Sequence, residues 1–530
     1  MAAIITDDFR RNQARLLIND IKASVALTEP ISSGLFRDNA NYLIGLGKTD
    51  SWGNDSAGNS ESSSAFIVDA PIGTEIEKKD VIDNLFTLKE LAVDSCYHMI
   101  PKNGWVTGRK YKVYNHADND CFYATGDQYP CYVTHDSKVY LCLSNHSGTS
   151  NGEVGDEIVA ASSSSPDTNN TSDFSITTTP GSDGYIWAHV QTLPTSGTVA
   201  KLITSQFVPI QDRAIGIQDN AYSADAELNS GGFLYDIGIV SGGSGYSSTP
   251  TAVITAINEN GVEITANLPF LEVKQSGGVI TSINLRRPGI TGASGTAVNA
   301  GSRGYWNHTV GNRFKDILSA TITITDSTGT GAKAIASITP QRGLGNNAIE
   351  VLPTWFVGVT VDFVNNESND SPILDFRQVS LMKSATVTPV TGSGAGPAGT
   401  HTALKSITLD GTITTASLGA LTAGTVLKQG NSKFYFNRYD SSTKKLFYHQ
   451  NSDQEVNYIK PIVGTTDVTS LDTSTTYATD VSAVGVGEFR KTEDVDSQEE
   501  YNGEVIFHEN RTPFTRGGTQ TEEVKLIIQL

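Results

Sequence analysis

Apolar and polar residues alternate near the end of the sequence, in GEVIFHENRTPFTRGGTQTEEVKLIIQL, Gly503–Leu530. Val524, Leu526, Ile528 and Leu530 fall on one face. Glu523, Lys525 and Gln529 fall on the other, with Ile527 as the single apolar intruder. A period of two predicts a half-buried strand docked into a sheet. The opening residues carry a different period. In TDDFRRNQARLLINDIK, Thr6–Lys22, the residues Phe9, Leu16, Leu17 and Ile21 approximate one stripe behind Asp7 and Asp8, which predicts a helix. Asp83–Met99 has a weaker helical period, broken by Pro101 and Gly104.

From Lys110 to Pro209, short β runs alternate with polar loops. SSSSPDTNNTSD, Ser162–Asp173, is too polar to pack, and Asn54–Ser64 reads as a Gly/Ser/Asn-rich loop. From about Ala221 the texture changes. IVSGGSGYSSTPTAVIT and GGVITSINLRRPGITGASG alternate between glycine-rich turns and read as β-hairpins, two halves of one small module. SATITITDSTGTGAKAIASI continues the strands. Near Ser384 a linker composition, TPVTGSGAGPAGT, opens a third texture in which KSITLDGTITT, KFYFNRYD and KKLFYHQ read as strands. The expected fold is mainly β.

Composition sharpens this picture. A chain of 530 residues exceeds one simple core, and 38% hydrophobic residues with 50 glycines imply many turns and short strands. A formal charge of -19 repels phosphate backbones, so no nucleic-acid partner is expected. Met1–Asp7 lacks a basic region followed by an apolar core, and no run reaches the length of a membrane span. The expectation is a soluble protein made in a cytoplasm.

Candidate chemistry is sparse. Cys96, Cys121, Cys131 and Cys142 share a stretch with His98, His116, His135 and His146, but CxxC spacing is missing and CYVTHDSKVYLCLSN reads as strand. Small buried cysteines without a metal are expected. SGGSGY, Ser241–Tyr246, lacks the strand–helix context of a phosphate loop and reads as a turn. DNDC, Asp118–Cys121, lacks the glycine and distal glutamate of a calcium loop and reads as a solvated turn. A distant carboxylate pair of a glycosidase stays open. Trp52, Trp105 and Trp187 each sit where a polar turn meets an apolar run. They are expected to be anchors, with the ring buried and the indole N–H on a turn carbonyl.

Five segments, taken in order, carry a resemblance. They are DDFRRNQ with LGKTDSW, then IPKNGW followed by a tyrosine, DGYIWAHVQTLP, DFRQVSLMK, and GEVIFHENRTPFTRGGTQTEEV. Together they resemble the gene product eight baseplate wedge subunit family of T-even-type contractile-tailed phages, over about Ile5–Gln211, Trp355–Lys383 and Gln498–Leu530. The resemblance implies a β-sandwich core with a few short helices and a homodimer within each wedge. About Ile217–Ile349 and Ser384–Val495 depart from the family pattern and read as two inserted small β modules. The expected division is therefore core at 1–216, 350–383 and 496–530, with modules at 217–349 and 384–495. The terminal strand should then pair with sequence that precedes both insertions.

The family-signature residues are Trp52, Trp105, Trp187, Phe376, Arg377, Gln378, Glu509, Asn510 and Arg511, with core or interface roles. The implied function is a structural subunit of a phage tail baseplate wedge, with no catalytic activity and no cofactor. Its partners would be other baseplate wedge proteins, and it would assemble in the host bacterial cytoplasm and reside in the virion. Two other readings are a receptor- or carbohydrate-binding tail protein, using side chains such as Tyr246 or Trp306, and a polysaccharide-degrading enzyme.

Overall fold

The computed structural model describes residues 6–26, 42–49, 51–114, 119–145, 162–163, 165–166, 183, 185–211, 234–247, 250–258, 260–265, 270–286, 317–338, 348–363, 375–383, 400–409, 418, 421–429, 432–450, 468–470, 476–477, 479–485, 503–514 and 521–530. The protein is mainly β, with several antiparallel sheets and a few helices. It divides into two compact units. One comprises Met1–Arg15, Tyr97–Gly358 and Ile527–Leu530, the other Leu16–Cys96 and Val359–Leu526.

In the first unit the strands Tyr132–His135, Lys138–Asn145 and Tyr185–Thr192 form an antiparallel meander. Asp136 and Ser137 both take positive φ (44° and 58°), the conformation that lets a two-residue turn follow the strand twist. Alternation then buries both faces. Tyr132, Val139, Leu141, Ala188 and Val190 enter an aliphatic core with Val208, Ile210 and Trp355, while Val133, Tyr140, Cys142 and Trp187 enter an aromatic one.

A separate core in the same unit draws on Ile237, Tyr246, Ile254, Leu271, Ile280, Ile283 and Ala336. The hairpin expected at IVSGGSGYSSTPTAVIT does not form. Leu234–Ser244 pairs with Thr330–Ile338, and Thr251–Ile257 pairs with Ser319–Thr325. SGGSGY is correspondingly not a simple turn, because its first four residues continue the strand. A Cβ at Gly243 (φ 63°) would lie 2.4 Å from the Thr330 carbonyl oxygen, so glycine permits the close approach. The Gly277–Gly278 pair does make a hairpin, joining Phe270–Ser276 to Val279–Arg286.

The second unit holds a five-stranded sheet in the order Thr400–Thr402, Leu85–Glu90, Tyr42–Gly47, Phe376–Lys383, Glu504–Phe514. Leu43, Leu85, Leu88, Met382 and Val505 pack with Val81 and Ile82 of the helix Glu75–Asn84. Of Asp83–Met99, therefore, only Asp83 and Asn84 are helical, as the end of that helix. The helix lies earlier, started by Thr74, whose Oγ1 accepts the Glu77 N–H at 3.2 Å. The chain after Asn84 becomes a strand held between two neighbours, a placement that outweighs its weak helical period. Residues 405–485 contribute a seven-stranded sheet around Ile407, Leu427, Phe434, Leu446 and Tyr448.

The first helix runs Asp7–Ala26, and its buried stripe is Ala14, Ile18 and Ile21. Phe9 and Leu16, expected on that stripe, are exposed. Leu16 lies two residues from Ala14, about 200° around the helix. The strand Glu522–Gln529 alternates as read, with Val524, Leu526 and Ile528 buried and Ile527 half-buried, whereas Leu530 is only half-buried. Its sheet runs Glu522–Gln529, Phe356–Phe363, Cys96–Pro101, Phe207–Ile210. Its neighbour Phe356–Phe363 precedes only the second of the two regions read as insertions, not both, so the expected pairing needs that correction. The linker TPVTGSGAGPAGT, apart from Thr400 at the start of the strand Thr400–Thr402, and most of Ser162–Asp173 lie outside the described residues, but Ser162 itself is fully buried.

Candidate functional site

Signature residues from three distant segments meet in the second unit. Arg377 occupies the strand Phe376–Lys383 and points its guanidinium at Glu61, from the loop after Trp52. Nε donates to Glu61 Oε1 at 2.5 Å and Nη2 to Oε2 at 3.0 Å, while Nη1 donates to the Thr49 carbonyl at 2.6 Å. The planar fork of arginine matches a carboxylate in this two-bond geometry, which lysine cannot reproduce. Both side chains are largely buried, at 8% and 11% exposure. Burial pushes the Glu61 carboxyl up, but the Arg377 fork, the Ser51 hydroxyl and the Trp52 N–H together hold it below its ordinary value.

Trp52 carries the joint onward. Its indole Nε1 donates to the Arg511 carbonyl at 2.9 Å, and Lys48 Nζ lies 4.6 Å from the ring centroid. Gln378 faces Asn510 across the ladder, and its Nε2 donates to Asn510 Oδ1 at 3.0 Å. Asn510 Nδ2 in turn donates to the Asp69 carbonyl at 3.1 Å. The Phe376 ring lies 5.4 Å from Phe514 and 6.0 Å from the Arg511 guanidinium. Glu509 pairs with Val379 in the ladder and is exposed.

The loop that delivers Glu61 is built, not slack. Asp55 accepts the N–H groups of Ala57, Asn59 and Ile67 at 3.0, 2.7 and 3.1 Å, the local bonding by which aspartate organises a turn. The Asn59 side chain and these N–H groups hold the Asp55 carboxyl below its ordinary value. Sequence reading missed Glu61, Thr49 and Asp69. Glu61 and Arg377 are 316 residues apart, and no spacing rule connects such positions.

Trp105 and Trp187 belong to the aromatic cluster of the first unit. Trp187 stacks on Tyr185 at 5.4 Å and 13° and meets Tyr111 edge-on at 5.5 Å. Trp105 donates from Nε1 to Ser162 Oγ at 3.0 Å and meets His135 edge-on. Of the three, Trp52 alone places its N–H on a carbonyl, but that carbonyl belongs to the strand Glu504–Phe514 and not to a turn, and its ring is half-buried. Trp105 uses a hydroxyl, and buried Trp187 Nε1 has no hydrogen-bond partner among the described residues.

All four cysteines are buried free thiols. Burial pushes the Cys96 thiol up to about 12, and burial followed by a hydrogen bond with Cys121 raises Cys131. Among the described residues no group of three His, Cys, Asp or Glu side chains could hold a metal ion, while His116 and His146 lie outside those residues. DNDC is more packed than a solvated turn: Asn119–Phe122 forms a short 3-10 turn with Cys121 and Phe122 buried, and Asp118 lies outside the described residues. Tyr246 is buried, its hydroxyl accepting the Ala332 N–H at 3.0 Å, and Trp306 lies outside the described residues. The Arg377 cluster acts as a joint, in which a forked ion pair, an amide pair and an indole–carbonyl bond fasten three stretches of chain. No protein-family model matches the chain, and no curated protein matches its sequence.

Proposed function

We propose that the protein is a structural subunit of a phage tail baseplate wedge, a non-catalytic component that holds neighbouring wedge proteins in register. It would form a homodimer within the wedge, assemble in the host bacterial cytoplasm and reside in the virion tail. One observation supports this reading best. Residues that carry the resemblance, Trp52, Phe376, Arg377, Gln378, Asn510 and Arg511, are engaged in fastening one stretch of the chain to another. Side chains used this way suit a part that transmits load between rigid sheets. Packed interfaces between such parts tend to switch between discrete arrangements instead of deforming continuously, as a contracting baseplate requires.

The receptor- or carbohydrate-binding reading loses one of its two suggested contact residues, since Tyr246 is buried. Electron microscopy of contractile tails, labelled with an antibody to this protein, tests the proposal. Label on the baseplate body is expected, and label confined to fibre tips would contradict it. Steady release of sugar from host polysaccharide by the purified protein would contradict the non-catalytic assignment.

A further inference from the structure

Three of the four cysteines meet through the backbone. The Cys131 N–H donates to the Cys121 carbonyl at 2.8 Å, and the Cys142 N–H to the Cys131 carbonyl at 2.6 Å. Their side chains then diverge. Cys121 and Cys131 both enter the aliphatic core of the first unit, where the two thiols share a hydrogen bond, whereas Cys142 enters the aromatic cluster on the other face of the meander. Cys96 belongs to the second unit. One pair is thus singled out.

Geometry allows that pair to be bridged. An N–H···O bond of 2.8 Å leaves the two Cα atoms no farther apart than about 6.7 Å, within the span of a disulfide. Cys121 sits in the short 3-10 turn Asn119–Phe122. Cys131 adjoins the strand Tyr132–His135, with its N–H and its carbonyl both bonded. Hydrogen-bond geometry in a 3-10 turn is poorer than in regular structure, so the turn is the side that gives when the sulfurs close. Access also differs. Cys131 is fully buried, while Cys121 is 5% exposed and follows the exposed Asp120. A small oxidant therefore meets the Cys121 sulfur first.

We propose that Cys121 and Cys131 form a redox-sensitive pair, a dithiol in reducing surroundings that a peroxide closes to a disulfide, locking the turn Asn119–Phe122 onto the core. The Cys121 sulfur attacks one peroxide oxygen, the O–O bond breaks, and the second oxygen leaves as water with the thiol proton. The Cys131 sulfur then attacks the resulting sulfenic sulfur. The S–S bond forms, the S–O bond breaks and a second water leaves with the Cys131 proton. Two thiols are oxidised to one disulfide, and one peroxide is reduced to two waters. The pairing stands on the geometry; only its timing, once a tail leaves a reducing cytoplasm, rests on the baseplate reading.

The test treats the folded full-length protein with hydrogen peroxide, removes the excess with catalase, blocks free thiols with N-ethylmaleimide in denaturant and digests with trypsin. No lysine or arginine lies between Lys112 and Lys138, so Cys121 and Cys131 share the peptide Val113–Lys138, and Cys142 falls in the next, which begins at Val139. The expected product is Val113–Lys138 with neither cysteine blocked and two hydrogens missing, while Cys96 and Cys142 are still blocked. Dithiothreitol should restore both thiols. In Cys131→Ser, Cys121 should stop at a sulfenic acid that dimedone labels, and Cys142→Ala should close as the wild type does. The wild-type peptide map decides the pairing without any variant. Val113–Lys138 blocked at both cysteines after peroxide would overturn the proposal, as would a link to Cys142 or closure seen only in urea-unfolded protein. The linked protein should also melt at a higher temperature than the reduced one, and equal melting would overturn the lock.

Discussion

Trp52 and Trp187 show two ways of using one side chain. Around Trp187 the rings of Tyr185 and Tyr111 supply area and shape, and the indole N–H contributes no bond among the described residues. Around Trp52 the directional bonds matter most: indole to the Arg511 carbonyl, Arg377 to Glu61, Gln378 to Asn510. The aromatic cluster is gathered from residues 105–187, whereas the Arg377 joint ties positions hundreds of residues apart. Apolar area tolerates any chain that can fill it. A forked ion pair accepts one partner geometry, so the second region specifies which segments meet.

Trp187→Ala should have the largest effect, about 3–5 kcal/mol of lost stability, because truncating a buried ring leaves a cavity lined by Tyr185 and Tyr111. Thermal unfolding checks it, and a loss below about 1 kcal/mol would show that the cluster is not a core. Arg377→Met should cost about 3 kcal/mol, since it leaves the Glu61 carboxylate buried without its cation. Adding Glu61→Leu to that variant should recover much of the loss, an outcome area burial alone does not predict. Denaturant titration of both variants separates the two accounts.

Acid should weaken the joint and leave the stack alone. Glu61 is held below its ordinary value of 4.5 in the folded protein. A depressed carboxyl adds stability above the unfolded value, and that stability disappears as pH falls through the folded value. From about pH 5 downward, the wild type should therefore lose more stability than R377M/E61L does. Parallel acid titrations of the two proteins would contradict this. The smallest effect is expected for Trp52→Phe, about 1 kcal/mol for the lost bond to Arg511, provided the phenyl ring keeps most of the buried area.

The same contrast explains what was legible in the sequence. Period-two alternation placed the strand Glu522–Gln529 and its buried Val524, Leu526 and Ile528, because local patterning decides a half-buried strand. Turn–strand junctions point to buried anchors at the three tryptophans, yet of the three only Trp187 is buried, while Trp52 and Trp105 are half-buried. Strand partners were not readable. Leu234–Ser244 looked ready to fold back on its neighbour in sequence yet pairs with Thr330–Ile338, a choice made by the shared core around Ile254 and Ile283. The helix Glu75–Asn84 carries no apolar stripe to reveal it, although Thr74 and Glu77 have the spacing of a capping box, since of its three apolar residues Ile76 is exposed and only Val81 and Ile82 are buried. Glu61 had no local mark at all. Its role follows from tertiary position alone.

The central claim is that an ion pair fastens the segments carrying the resemblance, and a double-mutant cycle on Arg377 and Glu61 tests it most directly. Wild type, Arg377→Met, Glu61→Leu and the double variant are compared by urea unfolding at neutral pH. A buried forked pair predicts a coupling energy above about 1.5 kcal/mol. A coupling within about 0.3 kcal/mol of zero would contradict it, because Arg377 and Glu61 would then contribute independently and no joint would exist.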